Sequence, residues 1–115
     1  MGLDFIMAKR IPLNKKELGS INKYINLLKQ EGIDVSKAIL FGSYAKGTAK
    51  PESDIDIAII SYQFGKNNLK EMMLLRRIAL KIDSHIEPLP FSPEDINDRY
   101  STLAQEILKY GIAIS

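Results

Sequence analysis

Asp54 and Asp56, in the stretch "SDIDIAII", stand two residues apart at the start of an apolar run. Along an extended strand successive side chains alternate between faces, so the two carboxylates would point the same way, roughly 6–7 Å apart. At that spacing they repel each other and lose hydration, which raises at least one pKa and costs stability unless something offsets it. A divalent cation does so. Hard oxygen ligands suit Mg²⁺ or Mn²⁺, and two-ion sites for phosphate chemistry hold their ions roughly 3.5–4 Å apart, a gap that bridging aspartates span. The plainer alternative is a solvated strand start whose acids cap the chain or pair with a nearby lysine.

The segment before the pair bears on that choice. Gly42 and Ser43 close a first apolar run, "KAILF", and open a turn punctuated by Gly47 and Pro51. Exposed backbone N–H groups and a hydroxyl at such a turn can hold phosphate oxygens, and glycine lets a phosphate come close. A Gly-Ser dipeptide alone is usually only a turn. Here it is followed, ten residues on, by Asp-x-Asp in a strand, turn and strand arrangement.

Elements must hold these residues in place. Residues 1–11 show no clear period and read as a flexible lead-in before Pro12. Leu18, Ile21, Ile25 and Leu28 recur at helical spacing, which predicts an amphipathic helix over 14–31 stopped by Gly32. Residues 37–41 and 55–61 read as strands. Leu69, Met72, Leu75, Ile78, Ala79 and Ile82 form one stripe, which predicts a long helix over 65–82 covering a sheet, with Met72 and Met73 as core filler. Its Lys66, Lys70, Arg76, Arg77 and Lys81 read as a solvated face. Residues 84–91 form a third extended segment, placed at an edge because Pro88 and Pro90 each lack a backbone donor. Ser92, Pro93 and Asp95 start a helix with a capping box, and a further helix over 101–110 ends at Gly111 before a short last strand. This order predicts a single α/β (α+β) domain over 1–115, a small mixed sheet with helices packed on it.

Composition narrows the field further. The chain has 115 residues, of which 45% are hydrophobic and 26% charged, the balance of a packed domain rather than of a disordered tract. No apolar run approaches the roughly 20 residues of a membrane span, and no signal-peptide pattern opens the chain. Without cysteine there is neither a disulfide nor a thiolate site, which fits the cytoplasm. A net charge of +2 gives no bulk drive towards nucleic acid. His85, the one histidine, reads as structural.

"GSYAKGTAKPESDID", residues 42–56, resembles the G-S-x10-D-x-D signature of the nucleotidyltransferase superfamily typified by DNA polymerase beta. The shortness and the order of elements resemble the minimal nucleotidyltransferases that pair with HEPN-domain partners. The resemblance implies that Asp54 and Asp56 bind two Mg²⁺ ions. It also implies a third carboxylate on a neighbouring strand, for which Glu87 is the candidate, completing the metal and catalytic set and helping to deprotonate an acceptor. Gly42 and Ser43 would cradle the β- and γ-phosphates of ATP, with Lys46 as an extra cation. Larger relatives append a helical domain for the acceptor, so the expectation is AMP transfer to a hydroxyl of a separate protein, the HEPN-type toxin of a toxin–antitoxin pair, in a hetero-oligomer. Two rival readings are a non-catalytic module that neutralises its partner by contact, and a transferase for a small-molecule acceptor.

Overall fold

The computed structural model describes residues 12–115, so the lead-in expected over residues 1–11 lies outside the described residues. The first helix, α1 (Lys15–Gln30), starts on a reciprocal cap: Glu17 N–H donates to Asn14 Oδ1 at 2.8 Å and Asn14 N–H to Glu17 Oε1 at 2.9 Å. Its apolar stripe buries Ile21, Tyr24, Ile25 and Leu28. Then follow β1 (Lys37–Phe41), a short helix α2 (Gly42–Lys46), β2 (Ile55–Ile60), α3 (Asn68–Ala79), β3 (Ile86–Phe91), a four-residue α4 (Pro93–Ile96), α5 (Thr102–Tyr110) and β4 (Ile112–Ala113). The Ser92–Asp95 capping box expected from the sequence opens α4.

The strands form one mixed sheet in the order β3-β2-β1-β4, with β2 parallel to β3 and β1 antiparallel to both β2 and β4. Alternation splits the side chains between two layers. Ala38, Leu40, Ile55, Ile57, Ile59 and Ile86 join α1 and α3 in the larger core, where Tyr24 Oη also donates to Leu75 O at 2.9 Å. Ile39, Ala58 and Ile60 face the other way, against Ile96 of α4 and Ala104 and Ile107 of α5, in a smaller core flanked by Phe41 and Phe91.

The edge position of β3 follows from its main chain. Ile55 N–H donates to His85 O and Ser61 N–H to Phe91 O, so the odd-numbered residues of β3 bond to β2 and the even-numbered ones face outwards. Pro88 and Pro90 are both even-numbered. Their missing donors therefore cost the β2–β3 ladder nothing, and they blunt the free edge against further strand pairing.

The helix expected over 65–82 is shorter than its periodicity suggested. It starts after Asn67, whose side chain accepts from Lys70 N–H, while Glu71 turns back to take the N–H groups of Gly65, Lys66 and Asn67. Burial alone would raise the Glu71 pKa, but those three N–H groups outweigh it and hold the carboxyl below the usual range. Leu69 and Met73 are 63% and 62% exposed, so neither is core; the buried stripe is Leu75, Ile78 and Ala79.

Candidate active site

Phe41, Asp56 and Glu87 are lateral neighbours across β1, β2 and β3, pairing by register Phe41 with Asp56 and Asp56 with Glu87. Neighbours in register share a face, so the acids lie on the side of the sheet that carries the smaller core, at the end where β1 gives way to α2. Asp54 lies two residues before Asp56 and is exposed, whereas Asp56 is half-buried. Burial pushes the Asp56 carboxyl up, and the negative charges of Asp54 and Glu87 push it further the same way. Asp56 thus feels both neighbouring acids, and the repulsion from Asp54 is the one the two-residue spacing suggested.

Gly42 makes the turn against this row. Its φ of +72° lies in the left-handed region, and a Cβ there would come 2.2 Å from Asp56 Oδ2. Glycine is therefore required twice, by the backbone and by the carboxylate pressed against it. Ser43 follows, half-buried in the first turn of α2, a helix whose N-cap, Phe41, offers no side-chain acceptor to the first N–H groups. Tyr44, which sequence reasoning passed over, fixes this turn from behind. Its side chain is buried in the larger core and its hydroxyl donates to Glu17 Oε2 at 2.7 Å. That bond, burial and the Glu17 charge push the phenol up to about 12. No periodicity or motif could have signalled this pairing, because Glu17 is also the capping residue of α1.

Lys46, His85 and Arg76 lie around this row. Lys46, expected near phosphate, forms an ion pair with Glu106 of α5 and lies 5.9 Å from the Tyr110 ring centre, tying α2 to α5. The bond to Glu106 raises its pKa. His85 lies just before β3 rather than in it: its Nδ1 is 3.0 Å from Asp83 Oδ1, and its backbone N–H donates to the same oxygen, closing the turn. Arg76 is no solvated ornament of α3: Nη1 lies 2.8 Å from Glu87 Oε1 and donates to Ile86 O at 2.8 Å.

Hard carboxylate oxygens are the donor set that a divalent cation suits, and in that chemical sense Asp54, Asp56 and Glu87 fit one. Among the described residues, however, no three acidic or imidazole side chains are gathered closely enough to hold an ion together. Beside Glu87, between α3 and the outer edge of β3, runs an apolar groove of about 580 Å³ lined by Met72, Met73, Leu80, Pro88 and Leu89, with Arg76 and Arg77 at its rim.

A mixed sheet with one acid on β2, another just before that strand, a third in register on β3 and a glycine turn pressed against Asp56 defines a class, the polymerase beta-like nucleotidyltransferase fold. Residues 22–115 match the family described as "Polymerase beta, Nucleotidyltransferase", and the chain belongs to that family. It is 33% identical over 91 residues to a candidate protein adenylyltransferase of Methanocaldococcus jannaschii, covering 74% of this chain and 62% of that one. It is 30% identical over 90 residues to the protein adenylyltransferase MntA of Shewanella oneidensis, covering 78% and 60%. The match thus spans about three fifths of each relative's length. Among solved structures, a chain of a toxin–antitoxin crystal structure with AMP-PNP superposes with a TM-score of 0.60 at 27% identity, over 82% of this chain and 71% of that one. A candidate nucleotidyltransferase of Sulfolobus solfataricus gives 0.61 at 15% identity, over 84% and 77%, a likeness of fold.

Proposed function

We propose that this chain is a metal-dependent protein adenylyltransferase that moves AMP from ATP to a hydroxyl of a separate protein, as the antitoxin of a HEPN-type toxin. The observation that carries the reading is Asp56, with Glu87 in register beside it, pressed against the Gly42 turn, where the start of α2 has no side-chain cap. The protein acceptor and the toxin partner are supported by the names of the relatives and by the toxin–antitoxin neighbour. The groove that Glu87 helps to line adds to this: Met73 and Leu80 are 62% and 56% exposed, the kind of apolar surface that a protein partner covers. Strand addition at the β3 edge is not the mode, because β3 lacks outward donors at Pro88 and Pro90.

In this reading Asp54, Asp56 and Glu87 would hold two Mg²⁺ ions, which when bound would supply charge neutralisation at the triphosphate and a lower pKa for the acceptor hydroxyl. Gly42 and Ser43 receive the β- and γ-phosphates, and Glu87 accepts the acceptor's proton. The acceptor oxygen bonds to the α-phosphorus as the bond from that phosphorus to the bridging oxygen breaks, and pyrophosphate leaves with the electron pair. Lys46 assists only by giving up Glu106.

The test is transfer of label from α-labelled ATP, with Mg²⁺, to a toxin co-expressed with this chain. Wild type should label the toxin, Asp54→Ala and Asp56→Ala should abolish labelling, and Glu87→Gln should weaken it severely. Neutralisation of the toxin by the double aspartate variant, with no label moving from any nucleotide, would replace the enzyme with a contact-only module.

A further inference from the structure

Arg76 belongs to α3, which covers the larger core, yet it pairs with Glu87, whose side chain belongs to the opposite face of the sheet. Its path runs around the outer edge of β3. There the main chain of Ile86 points away from β2: its N–H donates to Asp83 O, and its carbonyl accepts from Arg76 Nη1 at 2.8 Å. The same nitrogen lies 2.8 Å from Glu87 Oε1. A backbone carbonyl is an immobile anchor, so the guanidinium is aimed by the strand edge, and it in turn aims Glu87.

That aim has a consequence for the acid row. Asp56 and Glu87 are partners in register, yet among the described residues no three acids gather around one point. The cation that Glu87 does contact is internal. We propose that Arg76 is a positioning residue for the candidate metal site: anchored on Ile86 O, it keeps Glu87 at the sheet edge, apart from Asp54 and Asp56, and thereby sets how tightly a divalent cation is taken up. An entering ion must win the Glu87 carboxylate from the guanidinium. Arg77, the next residue, is exposed at the groove rim and does not replace it. The inference rests on the metal-site part of the function proposed above and is independent of the acceptor.

The experiment uses Mn²⁺ alone with the isolated protein, bound ion being read by electron paramagnetic resonance, with no nucleotide and no turnover. Arg76→Met should tighten Mn²⁺ binding about two- to fivefold, the worth of a half-exposed ion pair. Arg76→Lys, which keeps the charge, should return the affinity towards wild type. Because removal of any nearby cation strengthens the local negative field, the decisive variant is the double one. In a Glu87→Gln background Arg76→Met should change Mn²⁺ affinity by less than about 1.5-fold, since its effect passes through Glu87. Circular dichroism melts confirm that each variant is folded. An unchanged affinity in Arg76→Met, or an equal gain with and without Glu87, overturns the proposal. So does absence of Mn²⁺ binding in both wild type and Arg76→Met. If wild type binds Mn²⁺ equally well after Asp56→Asn, the metal-site reading itself fails, whereas Asp56-dependent binding that ignores Arg76 removes only this inference.

Discussion

Asp56 and Ile57 are adjacent on β2 and live on opposite sides of the sheet. Ile57 is fully buried against α1 and α3, in a layer closed by large aliphatic side chains and by the buried Tyr24 hydroxyl bond. Asp56 is half-buried on the side where α4 and α5 cover only part of the sheet, so the end near Gly42 stays open. The strand's period of two lets one segment serve both roles: Ile55, Ile57 and Ile59 hold the fold together, while Asp56, with Asp54 just before the strand, is given the chemistry in the proposed function. Stability is concentrated in one layer, and the electrostatic cost of the carboxylates falls on the other, which water and ions reach.

The largest effect should come from moving the acid by one residue. Ile57→Asp puts an unpaired carboxylate into the closed layer, where burial without a partner costs about 4 kcal/mol or more, a large part of a small domain's stability. Loss of a cooperative thermal transition at neutral pH is expected; a melt within a few degrees of wild type would show that the two layers differ less than their burial implies. A smaller loss should follow from Gly42→Ala. The left-handed backbone and the 2.2 Å collision with Asp56 Oδ2 together predict a destabilisation of about 1–3 kcal/mol by denaturant titration, and at least about tenfold slower transfer. Gly32, at the end of α1, has a φ of +88° with nothing within 4 Å of a Cβ, so Gly32→Ala should share the backbone strain and leave transfer unchanged. Equal loss of transfer in both variants would mean that closeness to Asp56 is unimportant.

Those contrasts also explain what could be read without coordinates. The α1 helix, β1, β2 and the Ser92 cap were legible because periodicity and capping are local, and the Gly42, Ser43, Asp54 and Asp56 pattern is one short segment. The edge strand was legible because proline removes a donor wherever it stands. The start of α3 was not, since Glu71 fastens Gly65, Lys66 and Asn67 into a loop that mimics the helical period. Exposure of Met73 depends on what packs against α3, which no single helix encodes. The partners of Lys46, Tyr44 and Arg76 join residues distant in the chain, and side-chain length and charge alone did not choose among the acids within reach.

The smallest effect is the one that most sharpens the contrast between layers, because its sign is opposite. Burial, with the charges of Asp54 and Glu87 behind it, holds the Asp56 pKa above its unfolded value. With respect to this group the fold is therefore most stable below the ordinary carboxylate range, and that stability is lost as pH rises through the raised pKa. Asp56→Asn removes the ionisation. At pH 7 the variant should melt a few degrees above wild type although it transfers nothing, and as pH falls towards about 3 the two curves should converge. Added Mg²⁺ should lift the melting temperature of wild type more than that of the variant, since only wild type has a charge there to neutralise. A lower melting temperature for Asp56→Asn at pH 7 would mean that ionised Asp56 is held by favourable bonds, and that the open layer shares in stability after all.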